Sequence, residues 1–311
     1  METRKKISIV VPCFNEEEGL DKFNEILTKS LPENYRYEII YINDGSSDNT
    51  LNVIQLLIVN NPEIRYISFS RNFGHQNALK AGYDFATGNC AVSLDADLQH
   101  PPEIIAELIQ KWEEGYEIVN TIRLDHQSIS AGKKVSSGIF YKLMRRLSDV
   151  NIENGMADFR LVDRKVLEQL KNFTENHLFF RGIIPWMGFR QVNVTFRAKE
   201  RFAGTTKYTL KKMIKFAITG VTAFSVKPLR ISIYLGLVIA LLAFIYAIYI
   251  TYVYLFTDQA VTGWTSVILS ILAVGGINLI MLGIIGEYLG KLFIENKRRP
   301  NYLISETNIK I

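Results

Sequence analysis

Residues 90–103 read Cys-Ala-Val-Ser-Leu-Asp-Ala-Asp-Leu-Gln-His-Pro-Pro-Glu. The apolar run from Cys90 to Leu94 has the length and composition of a buried strand. It ends in two carboxylates, Asp95 and Asp97, spaced so that both can turn toward one point at the strand's exit. Gln99 adds a third oxygen, and Pro101-Pro102-Glu103 opens a helix with proline in its first turn. Hard oxygen ligands at the carboxyl end of a strand suit Mg²⁺ or Mn²⁺, held by one or two carboxylates plus substrate phosphates. The plainer reading is a solvated acidic turn capping the helix, because Asp-x-Asp is a short pattern. What stands before and after it weighs toward the metal.

Working outward, strand-like runs at Ile7–Val11, Glu38–Ile42, Arg65–Phe69 and Ala91–Leu94 alternate with helical segments. Those helices fall near Glu16–Ser30, Asp48–Val59, His75–Ala86 and Pro101–Glu114. Repeated β-α units predict an α/β domain with a mostly parallel, doubly wound, Rossmann-like sheet whose ligands lie outside the strands' carboxyl ends. A further strand, Tyr116–Ile122, leads to a basic, apolar helix around Lys133–Leu147. Another helix is expected over Val162–Leu170.

The chain has 311 residues and a mild net charge of +5, enough length for a sizeable core. Its basic residues concentrate late, which favours a membrane surface over nucleic acid. No basic-aromatic nucleic-acid motif is present. Cys13 and Cys90 sit on expected buried strands, which argues against a disulfide framework and for a reducing compartment. The four histidines show no zinc spacing. The start runs directly into a strand without the apolar region of a signal peptide.

Two uncharged stretches, Ile231–Phe256 and Ala260–Gly286, each exceed the ~20 residues that cross a bilayer. The connection Thr257-Asp258-Gln259 carries no Lys or Arg. Lys207, Lys211, Lys212, Lys215, Lys227 and Arg230 precede the first stretch, and Lys291, Lys297, Arg298 and Arg299 follow the second. The positive-inside rule then places both termini, and a large head, in the cytoplasm. Between head and spans, Leu210, Met213, Ile214, Ala217, Val221 and Phe224 share one helical face, and the lysines group on the other. That pattern suits a helix lying in the headgroup region, or an ordinary amphipathic helix packed on the head. The expected organisation is a head domain over 1–205, a juxtamembrane segment over 206–230, a helical hairpin over 231–287 and a tail over 288–311.

The remaining chemistry-bearing pieces follow the other strands. Val10-Val11-Pro12-Cys13-Phe14-Asn15-Glu16-Glu17 ends the first strand; alone, it is a strand-helix turn. Asn43-Asp44-Gly45-Ser46-Ser47-Asp48 follows the second, where Asp-Gly makes a turn and Ser47 or Asp48 caps a helix. Asp44, at a strand's carboxyl end, could also accept a hydrogen bond from a pyrimidine imide. Ser70-Arg71-Asn72-Phe73-Gly74 follows the third and supplies a cation beside the expected substrate phosphates. Together with Asp-Ala-Asp-Leu-Gln, these motifs resemble the family-2 glycosyltransferases of GT-A fold. Asp158-Phe159-Arg160-Leu161, Glu200-Arg201-Phe202-Ala203-Gly204-Thr205-Thr206-Lys207-Tyr208 and Phe224-Ser225-x-x-Pro228-Leu229-Arg230 narrow the resemblance. They look like the branch of bactoprenol glucosyltransferases and dolichyl-phosphate mannose synthases, in the form with two C-terminal spans. Asn43, where many relatives have aspartate, and Thr206, where many have serine, are departures.

The resemblance implies inverting transfer of one sugar from a nucleotide sugar to a polyisoprenyl phosphate at the cytoplasmic membrane face. The product would be a lipid-phosphate-sugar that donates to cell-envelope glycosylation. UDP-glucose or UDP-N-acetylglucosamine is the expected donor; GDP-mannose is the alternative, and a non-catalytic scaffold or flippase partner is a third reading. It implies a nucleotide-sugar site of Pro12, Asn15, Glu17, Asp44, Arg71, Asp95, Ala96 and Asp97, and Mg²⁺ or Mn²⁺ on Asp95, Asp97 and Gln99. Asp158 and Asp97 are the implied catalytic carboxylates. Arg123, Lys134, Ser137, Arg201 and Lys207 are the implied acceptor-phosphate site. A homo-oligomer and a separate flippase are further partners such a chain could have.

Overall fold

The computed structural model describes residues 4–124, 155–175, 178–197, 226–256 and 263–310. The expected helices over Lys133–Leu147 and Leu210–Phe224, and the connection 257–259, lie outside the described residues.

Among the described residues, eight strands form one sheet in the order β7-β5-β6-β4-β1-β2-β3-β8. The strands β1 (Lys6–Cys13), β2 (Arg36–Asn43), β3 (Ile64–Phe69) and β4 (Cys90–Ser93) run parallel to one another, as the β-α alternation requires. They are apolar on both faces because helices cover both faces. α1 (Leu20–Ser30), α2 (Thr50–Asn60) and α4 (Ile105–Glu113) belong to the side where Ile9, Val11 and Val92 are buried. α3 (His75–Phe85) packs on the side of Val10, Ile42 and Ala91. α1 and α2 start later than their sequence periodicity suggests. Asp48 Oδ1 accepts from the Thr50 N–H and hydroxyl, a local turn that delays α2.

The right-hand half of the sheet departs from the sequence reading. β5 (Ile118–Leu124) was expected, but β6 (Met156–Asp163) inserts antiparallel between β4 and β5. The helix expected from Val162 therefore begins only at Arg164, as α5 (Arg164–Leu170), capped by Asp163 accepting from the Lys165 N–H at 2.8 Å. Asp158 lies within β6. The pattern was hard to read because two charged residues, Asp158 and Arg160, occupy inward positions alternating with Phe159 and Leu161. α6 (Phe180–Trp186) and β7 (Gln191–Arg197), which pairs parallel with β5, complete that side.

Two long helices follow, α7 (Lys227–Phe256) and α8 (Trp264–Asn296), of 30 and 33 residues. Both are long and apolar enough to cross a membrane. Leu242, Phe244, Leu279 and Ile280 are each more than 60% exposed, which water alone would not tolerate over such an area. α8 continues ten residues beyond Gly286, so the compositional change there is not an end of helix. After it the chain returns to the head as an eighth strand, β8 (Ile304–Thr307), antiparallel to β3.

Candidate active site

The sheet's direction of winding reverses between β1 and β4, and ligands of such sheets bind at that switch point. A cavity of about 640 Å³ opens there. Its wall is built by the exits of β1, β2, β3 and β4, by β6 and by the start of α6. Pro12 and Cys13 end β1, Phe14 and Glu16 follow it, Asp44 follows β2, and Asn72, Gly74, His75 and Gln76 come from the turn into α3 and its first residues. Asp95, Ala96 and Asp97 follow β4, Asp158 comes from β6, and Arg181 from α6. Thus Pro12, Asp44, Asp95, Ala96, Asp97 and Asp158 are brought together from a span of nearly 150 residues.

Other expected site residues are turned elsewhere. The Asn15 carboxamide oxygen accepts from the Ser47 N–H at 2.9 Å, and Glu17 Oε2 accepts from the Asn49 N–H at 2.8 Å. These side chains stitch the β1–α1 loop onto the β2–α2 loop and do not line the cavity. Asn15 takes a left-handed backbone (φ 57°), which asparagine tolerates, to make that crossing. The Arg71 guanidinium donates to the Asn72 carbonyl at 3.0 Å and lies 4.0 Å over the Phe73 ring, outside the cavity wall. Gln99 Oε1 accepts from Arg123 Nη1 at 3.2 Å, which occupies the oxygen expected to face a metal. Lys134, Ser137, Arg201 and Lys207 lie outside the described residues.

Asp44 is almost fully buried. Its carboxylate accepts from the Phe73 and Gly74 N–H groups, at 2.7 and 3.0 Å. Burial raises its pKa above the usual carboxylate value, and those two donors only partly offset the effect. Gly45 (φ +63°) lets the Arg71–Asn72 backbone lie directly against the turn, where a Cβ would overlap it.

The two carboxylates after β4 are differently held. Asp97 Oδ1 accepts from the Gln99 N–H at 3.0 Å, with Leu98 in a left-handed conformation (φ 59°) between them. That strained turn aims the loop at the cavity. Asp95 Oδ1 lies 2.9 Å from His75 Nε2, and its N–H donates to His100 Nδ1 at 3.1 Å. His100 is stacked on Phe159 and meets the edge of Phe196, so it braces the loop from below. Among the described residues no three His, Cys, Asp or Glu side chains cluster for a metal. Two hard carboxylates beside an open cavity nevertheless fit Mg²⁺ or Mn²⁺, whose remaining positions go to water and phosphate. They do not fit a closed zinc site.

Asp158 is 6% exposed. Oδ1 accepts from Arg160 Nη2 at 3.1 Å; Oδ2 accepts from Arg181 Nη2 at 2.9 Å and Gln76 Nε2 at 3.3 Å. Burial opposes its charge, but the Arg181 and Arg160 guanidiniums prevail and hold the carboxyl well below its ordinary range. Arg160, Arg181, Gln76 and His75 are the residues that reading by motif did not assign. Arg160 had a signal: two positions from Asp158 on a strand, it must share its face. Arg181 and Gln76 had none, being far away in sequence.

Residues 8–171 match glycosyl transferase family 2, and residues 227–292 match the GtrB C-terminal hairpin. The uncharacterized glycosyltransferase YkcC of Bacillus subtilis (strain 168) is 43% identical, covering 96% of this chain and 93% of that protein. The bactoprenol glucosyl transferase of Shigella phage SfV is 40% identical, covering 98% of this chain and 100% of that protein. The prophage bactoprenol glucosyl transferase homolog of Escherichia coli (strain K12) is 42% identical over 96% of this chain and 98% of its own. Among solved structures, a mannosyltransferase from Pyrobaculum calidifontis in complex with GDP-Man and Mn²⁺ covers 71% of this chain and 64% of its own, with 17% identity and a TM-score of 0.49.

Proposed function

The chain belongs to glycosyl transferase family 2, and from that premise we propose that it moves one sugar from a nucleotide sugar to a polyprenyl phosphate. Relatives named for bactoprenol glucosyl transfer align along almost the whole chain, hairpin included. UDP-glucose is the donor we favour on that basis. The observation that carries the reading is the convergence of Asp95, Asp97 and Asp158 on one cavity at the sheet's switch point.

In this reading the nucleoside diphosphate lies against Pro12, Asp44 and Ala96. Asp95 and Asp97 would hold Mg²⁺ or Mn²⁺, which when bound neutralises charge developing on the diphosphate leaving group. Gln99 would position Arg123 instead of reaching that ion. A phosphate-monoester oxygen of the lipid forms the new bond to the anomeric carbon. The bond to the nucleoside diphosphate breaks on the opposite side and its electron pair leaves with the diphosphate, so configuration inverts. The second pKa of a phosphate monoester is about 6, so the nucleophile is already ionised at neutral pH and needs no strong base. α7 and α8 would span the membrane as a hairpin, with the head and both termini cytoplasmic, as the Lys/Arg distribution favours. Arg123, Lys134, Ser137, Arg201 and Lys207 would then meet the lipid phosphate.

Incubation of the full chain with polyprenyl phosphate and a panel of labelled nucleotide sugars, followed by thin-layer separation of lipids, tests the reading. A lipid-linked sugar formed from UDP-glucose is expected. No lipid product from any sugar nucleotide would sink it.

A further inference from the structure

We propose that Arg181 is a phosphate-binding residue of the transfer site and that Asp158 serves the reaction by holding Arg181 in place. The inference rests on the glycosyltransferase reading above and assigns Asp158 a positioning role within it.

Charge at the cavity is the first observation. Glu16, Asp44, Asp95, Asp97 and Asp158 all line it, and among the described lining residues Arg181 is the one fixed cation. Both substrates bring phosphate, one as a diphosphate and one as a monoester. Neither can settle against five carboxylates without cationic help, and a divalent ion on Asp95 and Asp97 would answer only part of that repulsion.

The second observation is a division of labour between two arginines on one carboxylate. Arg160 is wholly buried and also donates to the Ala157 carbonyl at 2.9 Å, so it anchors Asp158 from within the sheet. The Arg181 side chain is 31% exposed and borders the cavity. Gln76 ties the two parts together: its Nε2 donates to Asp158, and its Oε1 accepts from the Phe180 N–H at 2.9 Å at the start of α6. Asp158 therefore receives donors from three side chains, a poor arrangement for taking a proton and a good one for fixing a guanidinium. The planar fork of that guanidinium matches the geometry of phosphate. Arg160, Asp158 and Arg181 together carry one net positive charge, delivered at the cavity side.

The test uses the full-length protein and the variants Arg181→Gln, Arg181→Lys, Asp158→Asn and the double variant Arg181→Gln/Asp158→Asn. Three quantities are read: melting temperature, calorimetric titration of UDP with Mn²⁺, and KM and kcat for polyprenyl phosphate. Arg181→Gln should weaken either UDP binding or the acceptor KM by about ten- to a hundredfold, the range of a charge-assisted contact. A loss confined to UDP places the contact on the donor diphosphate; one confined to KM places it on the lipid phosphate. Arg181→Lys keeps the ion pair with Asp158, so it should restore melting while recovering only part of the affinity. Asp158→Asn should show the same loss as Arg181→Gln, and the double variant should be little worse than either. Unchanged affinities in Arg181→Gln overturn the proposal, as does full recovery of every quantity by Arg181→Lys. Additive losses in the double variant overturn the positioning role. A wild-type chain that transfers no sugar to polyprenyl phosphate would refute the functional reading instead, and is scored separately from the variants.

Discussion

Replacing Tyr302 probes how the tail beyond α8 is bound to the head. The Tyr302 ring stacks on Phe69 with centroids 5.1 Å apart, and its hydroxyl donates to Asp84 Oδ2 at 3.0 Å. Burial pushes the phenol's pKa up, and the Asp84 charge adds to this, so the hydroxyl remains a donor at all ordinary pH. A hydrogen bond to a charged acceptor contributes about 1.5 kcal/mol at the low end, suitable for a partly exposed site. The aromatic pair adds about 1 kcal/mol. Tyr302→Phe should therefore loosen the tail by about 1.5 kcal/mol, or roughly twelvefold, and Tyr302→Ala by about 2.5 kcal/mol, or roughly sixtyfold. Two amides report detachment directly: Ser70 N–H donates to the Leu303 carbonyl at 3.0 Å, and Tyr66 N–H to Asn308 Oδ1 at 2.8 Å. Hydrogen exchange at Ser70 and Tyr66 should quicken by those factors if the tail opens as a local unit. Affinity for nucleotide diphosphate should fall less, because the Phe73–Gly74 turn is also held by Asp44. Unaltered exchange at both amides in Tyr302→Ala would show that β8 does not depend on this contact, and the reasoning would fail.

Asp95→Asn and Asp97→Asn should each abolish transfer while the melting temperature of the head barely moves; full activity in chelated, metal-free buffer would exclude a metal on these residues. The Asp158 carboxyl is depressed in the folded state, so its stabilising contribution is present above its unfolded pKa of about 3.9 and is lost as pH falls toward the folded value. The melting difference between wild type and Asp158→Asn should accordingly stay constant from pH 8 to 5 and shrink only below about pH 4; a change centred near neutrality would contradict the ion network. Glu38, buried and bonded to Lys6, Ser8 and Thr87, should cost about 3 kcal/mol when replaced by alanine, measured by denaturant unfolding, because several donors lose their acceptor together.

The parallel half of the sheet was readable because its signal is local. β1 to β4 are short apolar runs buried on both faces, separated by turns of Asp, Gly, Ser and Asn, and each announces itself within about ten residues. The carboxylates at their exits follow from the same rule, since side chains at strand ends in such sheets face the ligand. The two long apolar stretches are equally local, requiring only a count of uncharged positions. β6 and β8 were not readable. Asp158 and Arg160 put charges where a buried strand should be apolar, and only their mutual pairing with Arg181 makes that burial tolerable. β8 has no core of its own and exists because β3 presents an open edge to it.

The site divides along the same line. Pro12, Asp44, Asp95, Ala96, Asp97 and Asp158 could be named from motifs, and the fold gathers them at one cavity. Asn15, Glu17, Arg71 and Gln99 come from the same motifs, yet their side chains brace loops. Adjacency in a motif places a residue near a strand exit but does not say which way its side chain turns. Sequence by itself determined the β-α framework, the strand-end carboxylates and the apolar hairpin, because each is written in residues close along the chain. Tertiary structure alone decided that Arg160, Arg181 and Gln76 meet on Asp158 and that the tail closes the sheet's far edge. Those contacts join segments up to 251 residues apart, and a partner at that distance leaves no mark on the local pattern.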